Sequence, residues 1–312
     1  MKGGLALSLV AAVPVRAATQ VSVVATTGMI ADAARIVGGD RVAVRALMGP
    51  GVDPHAYRQT RNDIVATARA DLVLWHGLGL EAQMVDFFAD LAQTRSVVAV
   101  ADGLPADRLI AHPEYEGKAD PHVWMDPDIW GDVVGAVAEA LIAVDPDGGE
   151  AYAANAEAYR RELAALDDYS ARVLQSVAPE SRVLVTAHDA FGYFGAKHGF
   201  EVMGIQGIST ESEAGLNRIS ELVDVLVERQ IGAVFVETSV SDRNMRALIE
   251  GAAAKGHDVR IGGALYSDAM GEPGTYEGTY LGMMDHNVTV IAAALGGEVP
   301  AKGMAGQLAL EG

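Results

Sequence analysis

The sequence predicts an α/β protein of two lobes, each with a four-stranded parallel sheet flanked by helices, joined by one long rigid helix. Three observations predict it. Short β-rich runs alternate with amphipathic stretches, this alternation comes as two sets of four, and a run without glycine or proline, residues 150–177, separates the sets. Strands separated by helices pair in parallel through βαβ crossovers.

In the first set, residues 21–25 read as a strand and Gly28 opens a helix that runs to Val37. Residues 42–48 form a second strand, 61–69 a helix, and 72–75 a third strand. Residues 81–92 carry apolar side chains three and four apart, the period of an amphipathic helix, and 96–100 close the set as a fourth strand. The run 150–177 is rich in Ala, Glu, Arg and Leu, all strong helix formers. It predicts one helix of roughly 28 residues, about 42 Å long. Asp145-Pro146-Asp147 starts it and Pro179 stops it. A flexible linker would be rich in Gly and Ser, so this helix is read as a stiff connector, with a packed helix inside one large domain as the alternative. The second set has strands at 183–186, 201–205, 233–236 and 259–262 and helices at 190–197, 216–229, 244–255 and 276–295. The expected divisions are 1–17, 18–145, 146–178 and 179–312.

Residues 1–17 read as a secretory leader. Lys2 is its positive start, residues 5–13 its apolar stretch, and Val15-Arg16-Ala17 a small-residue cleavage site. Export places the protein in the periplasm. With no cysteine in the chain, disulfides, thiolate metal sites, thiol nucleophiles and a lipid-modified cysteine drop out together, so an unanchored protein is expected. Half the residues are hydrophobic and 21% are charged, enough apolar content for sizeable cores. The formal net charge of −19 argues against nucleic-acid binding, which needs basic patches to neutralise phosphates.

Four segments each place a metal-binding side chain just after a predicted strand or at a helix start: Gly51-Val52-Asp53-Pro54-His55, Asp120-Pro121-His122-Val123-Trp124, Val185-Thr186-Ala187-His188-Asp189 and Tyr266-Ser267-Asp268-Ala269-Met270. In open parallel sheets, ligands bind beyond the carboxyl ends of the strands. Facing lobes would bring His55 and His122 from the first and His188 and Asp268 from the second to one cleft. Imidazole suits zinc and other first-row ions, and a carboxylate adds charge. Such a set fills a tetrahedral shell and leaves no position for water, which points to binding and not to turnover. Proline before both His55 and His122 stiffens the loops that hold those rings.

These segments, in this order, resemble the zinc/manganese cluster of ABC-transporter solute-binding proteins, and the TroA-like members most closely. The resemblance runs from Thr26-Thr27-Gly28-Met29-Ile30 to the last helix, and its most specific runs span residues 186–194 and 262–271. It implies two four-stranded lobes, a rigid helical connector, and a buried metal held by His55, His122, His188 and Asp268. It also implies delivery of that metal to a membrane permease for import, by a monomer that is not an enzyme. Manganese-type relatives commonly carry glutamate where this chain has His188, and many zinc relatives carry a long His-rich loop where this chain has only residues 110–120 with the single His112. Three imidazoles place Zn2+ first, Mn2+ second and Fe2+ third.

The remaining histidines read mostly as structural. His198 and His257 stand beside glycines at helix ends, where a donor can meet unpaired carbonyls. His76 and His286 are candidates to orient a ligand, as is Glu237 at the end of a strand, and His112 is a candidate collector at the cleft mouth. Asp126 and Asp189 are read as helix caps. A zinc hydrolase is the alternative from another class, but no His-Glu-x-x-His pair and no Gly-x-Ser-x-Gly elbow is present. An adhesin-like surface protein is a third reading.

Overall fold

A computed structural model describes residues 20–113, 115–212 and 215–308. The expected leader, and with it the reading of an unanchored N-terminus, lies outside the described residues.

The first half builds one parallel sheet from β1 (Val21–Ala25), β2 (Val42–Ala46), β3 (Leu72–Trp75) and β4 (Ser96–Ala99), in the order β2-β1-β3-β4. The central strands are continuous apolar runs with Val23, Val24, Ala25, Leu72, Val73 and Leu74 all buried, because helices cover both faces. Helix α1 (Gly28–Gly38) starts where Thr27 Oγ1 accepts the Ile30 amide, and α2 (Arg61–Arg69) starts with a reciprocal Thr60–Asp63 capping box. The stretch read as one helix over 81–92 is a short 3-10 turn followed by α3 (Val85–Leu91).

Helix α4 (Pro127–Val144) was expected only as whatever Asp126 caps. Asp126 Oδ1 does accept the Asp128 amide at 2.9 Å, with Pro127 in the first turn. The long helix α5 (Gly149–Gln175) has 27 residues and is unbroken. It is packed along its length: Tyr152, Ala156, Tyr159, Leu163, Leu166, Tyr169 and Val173 recur three and four apart and are buried against α1, α4 and the last helix. So α5 both joins the halves and belongs to a shared core that extends from Val23 to Ala292.

The second half contains β5 (Val183–Thr186), α6 (Gly192–His198), β6 (Glu201–Gly204), α7 (Leu216–Glu228), β7 (Ala233–Glu237), α8 (Arg243–Ala254), β8 (Arg260–Leu265) and α9 (Tyr280–Ala294). All four strands are present and pair in parallel, but as two ladders, β5-β6 and β7-β8. β5 lies beside β7 without a hydrogen-bonded ladder among the described residues. Residue period specifies strands and crossovers specify direction; which edges come within hydrogen-bonding distance is set by packing. A second, smaller core of Val183, Val185, Ile205, Leu222, Leu226, Val234 and Leu248 sits under these strands.

Candidate metal centre

Each of the four predicted side chains is placed by its own local device. The two Asp-Pro-His tripeptides fold alike: Asp53 Oδ1 accepts the His55 amide and Asp120 Oδ1 accepts the His122 amide, both at 2.9 Å. An aspartate bonding the backbone two residues on is an Asx turn, and the intervening proline contributes no competing donor. His188 stands two residues past β5, where Glu237 Oε1 at the end of β7 accepts its amide at 2.9 Å. Asp268 stands three residues past β8, and Ser239 Oγ donates to its Oδ2 at 3.4 Å. Gly204 lets the end of β6 lie against the His188 loop, since a Cβ there would stand 2.6 Å from the Asp189 amide nitrogen.

Together the four side chains offer donor atoms that all lie within 4.8 Å of one another. His55 Nε2 and His122 Nε2 are 3.2 Å apart, His122 Nε2 and Asp268 Oδ1 3.5 Å, and His188 Nε2 and Asp268 Oδ2 3.2 Å. None of the four residues is more than 3% exposed. His188 Nε2 and Asp268 Oδ1 have no hydrogen-bond partner among the described residues. Buried polar atoms are nearly always satisfied, and a cation between these atoms would satisfy both.

The cluster is electrostatically divided. Burial pushes the His55 imidazole down to about 3, so it stays neutral. Burial also opposes the charged form of His122, but Asp120 and then Asp268 outweigh it and raise this ring to about 9. His188 is likewise raised well above the usual range, against its burial, by Asp268 and Glu237. Asp268, although buried, is held well below the usual carboxylate range by His188 and His122. Without a cation, the charged form is therefore favoured on His122 and disfavoured on His55, whose Nε2 lies 3.2 Å from that of His122.

The second nitrogens of two rings are held by carboxylates. Asp120 Oδ1 accepts from His122 Nδ1 at 2.7 Å and Glu237 Oε2 from His188 Nδ1 at 2.5 Å, which fixes ring orientation and points Nε2 inward. Glu237 thus does what its position at a strand end predicted. The orienting role of Asp120 was missed, although its place two residues before His122 was the available signal. Also missed were Trp124, whose Nε1 donates to Ser267 O at 2.7 Å, and Tyr193, whose hydroxyl donates to Asp120 O at 2.8 Å. Gly192 leaves room for Asp120: a Cβ there would stand 2.8 Å from Oδ2.

The other candidates divide. His76 is fully buried; its Nε2 donates to Pro121 O at 2.7 Å and its ring meets Trp124 edge-on, so it supports the His122 loop. His286 bonds Ala264 O and packs on Tyr266, supporting the strand before Asp268. His257 Nε2 donates to Ile231 O, three residues past α7, and not to a carbonyl at the end of α8 beside which it stands. Among the described residues His198 Nε2 meets no carbonyl; it is buried beside Phe194. Asp126 caps α4 and also pairs with Lys197 at 2.7 Å. Asp189 does not cap α6, which begins at Gly192 with no side-chain cap. With His112, it lines a surface cavity of about 440 Å³ beside the cluster.

Fold and donor set together define a two-lobed metal-binding protein. The family model described as zinc-uptake complex component A, periplasmic (ZnuA) matches residues 23–294. The manganese-binding lipoprotein MntA of Bacillus subtilis (strain 168) is 48% identical over 277 residues, covering 88% of this chain and 90% of MntA. The zinc-binding protein TroA of Treponema pallidum (strain Nichols) is 46% identical over 273 residues, 88% of each chain. The solved structure of the periplasmic zinc-binding protein TroA from Treponema pallidum superimposes with a TM-score of 0.86 at 45% identity, covering 88% of this chain and 99% of that one. The chain belongs to the ZnuA/TroA family of solute-binding proteins of metal ABC transporters.

Proposed function

We propose that the protein captures a divalent transition metal ion outside the cytoplasm through His55, His122, His188 and Asp268 and surrenders it to the permease of an ABC transporter for import. Zn2+ is the preferred ion, Mn2+ the second and Fe2+ the third. The protein acts as a monomer without catalytic turnover, and the metal lies between a lobe of residues 18–145 and a lobe of residues 179–312, joined by 146–178. The observation that carries this reading is the convergence of three imidazoles and one carboxylate, all buried and with donor atoms within 4.8 Å, of which His188 Nε2 and Asp268 Oδ1 have no hydrogen-bond partner among the described residues. Three nitrogen donors and one oxygen favour zinc over manganese on ligand softness. The relatives named for manganese and for zinc support the class of cargo and leave the order between those two metals to the donor chemistry.

Capture replaces bound protons by a cation. Asp120 and Glu237 accept the Nδ1 protons of His122 and His188, leaving both Nε2 lone pairs for the ion once their protons depart. A competition titration of stripped protein against a chelator of known affinity tests the reading. Tight one-to-one zinc binding with much weaker manganese binding is the expected result; no tight binding of either would refute the site.

A further inference from the structure

The four proposed ligands are not held equally. His122 and His188 are each braced at Nδ1 by a carboxylate, and Asp268 accepts from Ser239. The His55 ring has no such brace among the described residues, and its one hydrogen-bonding neighbour is the His122 ring. Its place is set through its main chain, where Asp53 Oδ1 accepts the His55 amide. The other oxygen, Asp53 Oδ2, accepts from Thr210 Oγ1 at 2.5 Å, and Thr210 belongs to the opposite half.

Thr210 is itself tied to the His188 loop. Gln206 Nε2 donates to Thr210 O at 3.3 Å, the Gln206 amide to Ala187 O at 3.0 Å, and the Asp189 amide to Gly207 O at 3.2 Å. A hydrogen-bonded route therefore runs from the His188 loop through Thr210 and Asp53 to His55, crossing between the halves at one side-chain contact. The crossings that hold His122 are buried ones: Tyr193 to Asp120 O and Trp124 to Ser267 O. Asp53 and Thr210 are both partly exposed. Gln83 Nε2 also crosses to Glu211 Oε1 at 2.6 Å, beside Thr210 in the chain.

We propose that Asp53 and Thr210 are positioning residues that keep His55 in the metal shell, and that parting this pair makes His55 the first ligand to leave on release. The inference rests on the proposed function, since it assigns an order of departure to that same site. A docking partner that separates the halves at this partly exposed contact would then loosen one ligand while three stay braced.

The test is Thr210→Val, which removes the hydroxyl at nearly constant volume, compared with Thr210→Ser, which keeps it. Zinc dissociation into excess chelator and zinc association are followed by stopped flow, with the thermal midpoint of the metal-free protein measured alongside. The valine variant should release zinc about 10- to 100-fold faster, the scale of losing a partner behind a ligand, with the association rate and the metal-free midpoint unchanged and with serine restoring slow release. An unchanged dissociation rate in Thr210→Val, or an equal acceleration in Thr210→Ser, would overturn the proposal. His188→Ala separates the two levels. Tight binding lost there while Thr210→Val releases normally refutes only the His55 latch; tight binding kept there refutes the ligand set and the latch with it.

Discussion

In the second half His188 stands two residues past β5 and Asp268 three past β8, whereas in the first half His55 comes well after β2 and His122 far beyond β4. The second-half members of the cluster are placed by strand ends and their neighbours. The first-half members ride on loops, and each loop is rebuilt locally by an Asx turn and then tied to the second half. Even beside a strand, Glu237 still holds the His188 amide and ring and Ser239 the Asp268 carboxylate. Where a loop sets the position, the supporting side chains become as important as the ligand.

The largest effect expected from breaking this contrast is at a strand-placed ligand. His188→Ala should abolish tight zinc binding, a loss beyond the 10- to 100-fold typical of an outer partner, read in the chelator competition. Next comes pH. In the metal-free protein His122 is raised to about 9 and His188 is raised as well, so both hold protons at neutral pH that a metal must displace. Affinity should therefore fall by at least about tenfold per pH unit as pH drops below about 9, a window that opens well above the ordinary imidazole value near 6.5. Calorimetry in buffers of different ionisation enthalpy should show proton release on zinc binding, and none would refute this protonation pattern.

The supporting carboxylates sharpen the contrast further. Asp120→Ala and Glu237→Ala should each weaken zinc binding about 10- to 100-fold while leaving the stoichiometry at one. Each carboxylate holds both the main-chain amide and Nδ1 of its histidine, and Asp120→Ala should be the more damaging because His122 stands on a loop far from any strand. Glu237→Ala leaves β5 and its paired strand to hold His188. Equal effects would show that loop and strand placement are equivalent. The smallest effect is expected in stability. Trp124→Phe leaves the buried Ser267 carbonyl without its donor and should lower the unfolding free energy of the metal-free protein by about 1–3 kcal/mol, read from the urea midpoint.

Most of the elements were legible because their causes are local. Alternation of β-rich and amphipathic runs located the eight strands of the described residues, and the absence of glycine and proline located α5. The helix around residues 190–197 began late because Ala190 and Phe191 are spent on the turn after His188, and α6 starts only at Gly192. The pairing of β5 to β8 into two ladders was not legible, since it depends on edge distances that no residue period encodes.

By itself, the sequence determined the residue types and order of the site: two Asp-Pro-His turns, a histidine two residues past a strand, and an aspartate three past another. These are short-range patterns, fixed by proline's missing donor and the reach of an aspartate side chain. Only the tertiary structure decided that the four meet within one donor-atom cluster, that Asp120 and Glu237 brace two of the rings, and that Thr210 reaches Asp53 across the cleft. Those contacts join residues as far apart as 53 and 210. Their existence depends on how two α/β halves pack around α5, which is a property of the shared core and of no single segment.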